Sequence, residues 1–113
     1  LTPAMMQRIV DKFLREIGNS LAEQQVTLAS TPRARAWLAE KGYDPAMGAR
    51  PLRRLLRSRV EDALAGELLF GRLRHGGLVR LGVKDNELVL QFPDAAPAQG
   101  AEAKEGDDGR NDA

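Results

Sequence analysis

Eleven residues near the middle of the chain, Gly-Tyr-Asp-Pro-Ala-Met-Gly-Ala-Arg-Pro-Leu (Gly42–Leu52), limit what the rest can fold into. They separate two helix-like stretches and hold two strong backbone punctuators, Gly48 and Pro51. Pro51 has no N–H to leave orphaned, so it suits the first turn of a helix. Gly48 permits a backbone angle or a close approach that a side chain would forbid. Arg50 is thereby placed on the threshold of a helix, on a stiff hinge, where a cation can be aimed outside its own domain. The plainer reading of the same residues is an arginine paired with a surface carboxylate and a glycine that closes a helix.

The flanking segments read as regular elements. Thr2 and Pro3 form a cap-plus-proline start, and Met6, Ile9, Val10, Phe13, Leu14, Ile17 and Leu21 then recur three and four apart. That spacing predicts an amphipathic helix with one buried face, Phe13 included in its core. Gly18 inside it costs roughly 1 kcal/mol against alanine and marks a place to bend or weaken. Val26–Ser30 alternates apolar and polar residues and reads as a short strand. Thr31-Pro32 repeats the cap signal and opens a second helix to about Lys41, with Trp37 in the core and Gly42 as its stop.

A third helix is expected from about Arg50 to Phe70, with Leu52, Leu55, Leu56, Val60, Ala63, Leu64 and Leu68 as its apolar stripe. Arg50, Arg53, Arg54 and Arg57 line its other side. Glu61 is spaced to pair with Arg57, and Asp62 with Arg59. Gly71, Gly76 and Gly77 break the helix, and His75 falls in a solvated loop. Leu78–Lys84 and Glu87–Phe92 read as two strands joined by Asp85-Asn86, a pair suited to a tight hairpin. The order helix, strand, helix, helix, strand, strand predicts an α+β fold, a small three-stranded sheet covered by helices.

Charge divides the chain. Residues 1–93 carry 15 Lys and Arg against 10 Asp and Glu, and residues 94–113 carry 2 against 6. The second segment is Ala, Gly, Pro, Asp and Glu without apolar periodicity, so it is expected to be a disordered acidic tail outside the domain of residues 1–93. There is no cysteine and a single histidine, which excludes disulfides and leaves no metal-ligand set. Neither a long apolar run nor a leader-like start appears, so no membrane partner is expected. A nucleotide hydrolase needs a phosphate-cradling loop ending in Gly-Lys, and no Gly-Lys pair occurs in the sequence. The isolated chain is therefore not expected to be an enzyme.

The central stretch is more informative as a whole than residue by residue. Ala39–Leu52, Ala-Glu-Lys-Gly-Tyr-Asp-Pro-Ala-Met-Gly-Ala-Arg-Pro-Leu, resembles the Gly-Ala-Arg "sensor-2" segment in the second ATPase module of Clp-type AAA+ unfoldases. Together with Gly-Glu-Leu-Leu-Phe-Gly (Gly66–Gly71) it looks most like the ClpA branch, and the resemblance runs from about Met6 to Phe92. The resemblance implies the small C-terminal lid subdomain of such a module in a cytoplasmic, hexameric machine. It implies that Arg50 reaches ATP held mainly by the large domain of the same subunit, with Mg²⁺ bound alongside but not ligated here. Ala49 would lie close to the nucleotide, with Gly48 and Pro51 forming the turn. A guanidinium suits this task, being always charged and able to fork onto two phosphate oxygens. Phosphate loss would release the arginine and let the lid rotate. The implied partners are the large domain, the neighbouring subunit, a ClpP-type protease and protein substrates. No role for Arg53, Arg54 or Arg57 follows from it.

Two other readings remain open at this stage. Four arginines on one helical side of a basic body can track a phosphate backbone, as in a nucleic-acid-binding module. That face lacks stacking aromatics and the Asn or Gln residues that commonly read adenine. A free-standing lid-like protein that regulates an unfoldase also fits.

Overall fold

The computed structural model describes residues 1–93. Helix α1 spans Pro3–Ala22, and the Thr2 hydroxyl accepts from the Met5 N–H at 3.1 Å to cap it. Its buried residues are Met6, Val10, Leu14 and Leu21, and each such side chain removed from water contributes about 1.5–3 kcal/mol. The helix runs through Gly18 without interruption. Phe13 packs half-buried against the edge of the core, with the Arg53 guanidinium 4.3 Å above its ring.

Strand β1, Val26–Ser30, leads through a second capped start at Thr31 into α2, Pro32–Lys41. Trp37 is buried as expected, and Leu38 is buried with it. The Trp37 indole N–H donates to the Asn86 carbonyl at 3.0 Å, which ties α2 to the distant hairpin turn.

The long third helix is one rod in three parts. Helix α3, Arg50–Leu56, passes into a wider π turn, Arg57–Glu61, and then into α4, Asp62–Leu69. The Asp62 N–H donates to the Arg57 carbonyl five residues back, the mark of an inserted residue. The buried stripe explains the insertion. Leu52, Leu56, Val60 and Leu64 recur every fourth residue. In a plain α-helix each such step drifts by about 40°, and the wider turn takes back part of that drift. Ala63 is exposed rather than in the stripe, and Phe70 lies beyond the helix end, 77% exposed. The helix pairs expected for Arg57 and Arg59 are absent among the described residues. Arg59 instead bonds Glu87 of the hairpin at 3.0 Å, because its side chain lies over Trp37 beside that strand.

Strands β2, Gly77–Lys84, and β3, Glu87–Gln91, pair antiparallel with Lys84 opposite Glu87. Asp85 and Asn86 both take positive φ, 53° and 64°, the mirror-image turn that matches strand twist. β1 adds on the other side of β2, parallel, with Val26 opposite Gly77, giving sheet order β1-β2-β3. The architecture is α+β as expected, with Val79 and Leu81 on the core side of the central strand. The loop after α4 supplies a core residue that periodicity did not reveal, Leu73, 3% exposed. His75 is exposed in that loop. The boundary at residue 93 and the acidic tail lie outside what the described residues address.

Candidate functional site

The Gly42–Leu52 stretch folds as a tight loop clamped at both ends. At its entrance Gly42 lies against the start of α3: a β-carbon there would stand 2.7 Å from the Leu52 Cβ and 2.7 Å from the Leu38 carbonyl oxygen. At its exit Gly48 takes φ +68° where an added β-carbon would meet only the Leu1 Cδ1 at ordinary contact distance, so here it is the backbone angle, not a close approach, that requires glycine. Between them Asp44 and Gly48 exchange two backbone hydrogen bonds, 2.9 and 2.6 Å, in an isolated antiparallel bridge. The Asp44 carboxylate accepts from the Ala46 and Met47 N–H groups at 2.7 and 3.0 Å. The loop is thus cross-linked by its own backbone, an ordering that sequence reading of Gly48 and Pro51 only half revealed; Asp44 followed by Pro45 was the overlooked turn signal.

Ala49 precedes α3 without a side-chain cap, and its methyl packs half-buried against the core. Pro51 occupies the first turn, as expected. Arg50 is exposed and, among the described residues, its side chain makes no hydrogen bond or ion pair. The surface-carboxylate reading of Arg50 therefore has no partner within residues 1–93.

The structure separates the other arginines by what they touch. Arg53 is turned onto Phe13, and Arg59 onto Trp37 and Glu87. Arg54 and Arg57 are exposed without a partner among the described residues. The row of four cations expected on one side is thus broken at Arg53, which weakens its likeness to a phosphate-tracking face.

Next to the loop, α1 and α2 enclose an open apolar groove of about 520 Å³, lined by Leu1, Met6, Ala36, Ala39 and Tyr43 among others. Leu1 brings it within 3.8 Å of where a Gly48 β-carbon would lie. Farther away, the Glu67 carboxylate accepts from the Arg72 backbone N–H at 2.8 Å and is gripped by its guanidinium at 3.0 and 3.2 Å. These Arg72 hydrogen bonds, outweighing slight desolvation, hold the Glu67 carboxyl below the usual carboxylate range. The same guanidinium covers the Phe92 ring at 4.0 Å, which fastens the end of α4 to the chain after β3. Among the described residues no group of three or more His, Cys, Asp or Glu is placed to hold a metal ion. No helix there is long and apolar enough to cross a membrane.

Comparison with known proteins agrees with this geometry. Residues 1–81 match the family described as the C-terminal, D2-small domain of ClpB protein. A ClpA homolog protein of Fuscovulum blasticum is 49% identical over 84 residues, 74% of this chain and 11% of that protein. The chaperone protein ClpB of Corynebacterium glutamicum is 46% identical over 85 residues, 75% of this chain and 10% of that protein. ClpB of Streptomyces albus G is 45% identical over 85 residues, 74% and 10% of the respective chains. The chain thus spans about a tenth of the length of these relatives, and both ClpA-type and ClpB-type proteins are among them. With its α+β fold, its cross-linked Gly-Ala-Arg-Pro loop and this match over most of its length, the chain belongs to the C-terminal small-domain family of the second module of Clp-type AAA+ proteins.

Proposed function

We propose that this domain is the lid of a ClpA-like, ATP-dependent protein unfoldase, cytoplasmic and hexameric, and that Arg50 is its nucleotide-sensing cation. One observation carries the reading: Arg50 is an exposed guanidinium without a partner among the described residues, held at the start of a helix by a loop bonded to itself. A side chain so placed contributes little to its own fold. Its chemistry fits a phosphate, to which it can donate two parallel hydrogen bonds. One cation is not a nucleotide site, so ATP with its Mg²⁺ is bound mainly by a large domain outside this chain. The isolated chain accordingly has no ATPase activity.

Arg50 sits on one rigid body and the phosphates on another, so forming or losing their contact biases the angle between them. The loop's two backbone bonds carry that pull into α3 and, through the buried Leu52 and Leu56, into the core. The apolar groove beside the loop supports docking of the large domain on this side. Gly48 and Pro51 set the turn, and the Ala49 backbone lies beside the nucleotide while its methyl faces the core. By the same reading the lid also packs against the neighbouring subunit, and the assembled machine delivers unfolded substrates to a ClpP-type protease.

The test is Arg50→Ala in a full-length protein carrying this domain. Losing a charge-assisted hydrogen bond of about 1.5–3 kcal/mol predicts turnover in the second module reduced roughly 10- to 100-fold, with the domain still folded. Arg50→Lys keeps the charge without the fork and restores activity only in part. Full ATPase and unfolding rates in Arg50→Ala would refute the assignment.

A further inference from the structure

The outward side of the α3 rod carries more positive charge than its own domain balances. Arg50, Arg54 and Arg57 stand at i, i+4 and i+7, all exposed. Like charges one turn apart on a helix repel. The neighbouring Arg53 and Arg59 are relieved by aromatic rings and by Glu87, whereas Arg54 and Arg57 have no partner within residues 1–93. A local rule broken without a local gain points to a counter-charge elsewhere.

The sequence holds one. Residues 94–113 carry six acidic side chains against two basic ones. The described chain ends just after Phe92, fastened beneath Arg72. Twenty residues reach at most about 70 Å, and the longest dimension of the structure is 45 Å, so the whole surface is in range. We propose that the acidic segment 94–113 is the counter-charge of Arg54 and Arg57, an electrostatic contact that covers the basic side of the rod one helical turn from Arg50. Its recognition is carboxylate to guanidinium. It is therefore screened by salt and adds little to fold stability, as expected of exposed ion pairs.

The chain has no cysteine, so Ala103→Cys gives a single attachment point for a nitroxide within the acidic cluster. The measurement is paramagnetic loss of backbone amide signal in the labelled 113-residue chain. It is made at about 25 mM salt, where screening extends about 20 Å, and at about 0.5 M, where it extends about 4 Å. The expected result is loss of signal centred on residues 53–58 at low salt and its recovery at high salt. The same recovery is expected when Glu102, Glu105, Asp107 and Asp108 are made amides, which leaves the domain untouched, and when Arg54 and Arg57 are both made Gln. The spectra themselves report whether each variant is folded. The proposal is overturned if residues 53–58 keep their signal at low salt. It is equally overturned if the loss centres elsewhere, as on Arg8, Lys12 and Arg15 of α1, or survives neutralisation of the acidic residues. The outcome is independent of Arg50→Ala, so either result stands whatever becomes of the nucleotide-sensing reading.

Discussion

Replacing Gly42 by alanine tests whether the loop is clamped to the rod as the structure has it. The added β-carbon would meet the Leu38 carbonyl oxygen at 2.7 Å, the Leu52 Cβ at 2.7 Å and the Leu52 Cα at 2.9 Å. Two of these atoms are backbone and the third is bonded to backbone, so no flexible side chain can yield. Relief requires the end of α2 and the start of α3 to separate, in a core where Leu38 and Leu52 are both fully buried. Overpacking of this kind costs about 1–3 kcal/mol. The residue has an ordinary φ of −88°, so alanine regains up to about 1 kcal/mol through a less disordered unfolded chain. Three contacts shorter than 3.0 Å place the overpacking at the upper end of that range, about 2–3 kcal/mol, so the net loss is roughly 1–2 kcal/mol. In a domain of this size each kcal/mol lowers Tm by about 4–8 °C. Thermal unfolding of the 113-residue chain followed by Trp37 fluorescence reads it directly. Gly48 is the control, since an added β-carbon there meets nothing closer than the Leu1 Cδ1 at 3.8 Å but φ is +68°. Gly48→Ala costs about 1–2 kcal/mol for backbone conformation alone, and Gly48→Asn recovers much of that because asparagine tolerates the left-handed region. Gly42→Asn should be worse than Gly42→Ala. A Gly42→Ala variant as stable as the parent, or a Gly42→Asn variant better than it, would refute the close contact between α2 and α3.

Deleting Ser58 should convert the π turn to regular helix and respace the buried stripe as four, three, four. The chain is expected to stay folded by circular dichroism and to lose no more than about 1 kcal/mol, the scale of the exposed Arg59–Glu87 pair; unfolding would show that the core requires the inserted residue. Glu67 is held below the usual carboxylate range by Arg72, so the stability it adds is present at neutral pH and is lost as pH falls through its depressed folded value. Carboxyl NMR should show Glu67 titrating below the usual carboxylate range, and Arg72→Gln should return it toward that range.

Most of the architecture was legible because it rests on local rules. The Thr-Pro starts at Thr2 and Thr31 place α1 and α2, and both threonine hydroxyls make the expected capping bonds. Asp85-Asn86 specifies its hairpin because a two-residue turn demands positive φ at both positions. The Gly-Ala-Arg-Pro segment likewise pointed to the family without a structure. What the residues did not reveal were relations between distant parts of the chain. The bond from Trp37 to Asn86 spans 49 positions, and the grip of Arg72 on Glu67 and Phe92 joins a helix end to the chain beyond the last strand. The π turn was hidden for a related reason. Residues spaced by fours look helical, and only the requirement to face one common core turns that spacing into an inserted residue.

The arginines divide what sequence determines from what tertiary structure decides. The sequence by itself determines that Arg50, Arg53, Arg54, Arg57 and Arg59 share one helical rod, because periodicity assigns residues to an element. It does not determine which of them are free, because a long cationic side chain settles by what other elements bring within reach. The structure brings Phe13 of α1 under Arg53, and Trp37 of α2 with Glu87 of β3 beside Arg59. It leaves Arg50, Arg54 and Arg57 facing outward, and that sorting depends on packing between elements, which no local pattern encodes.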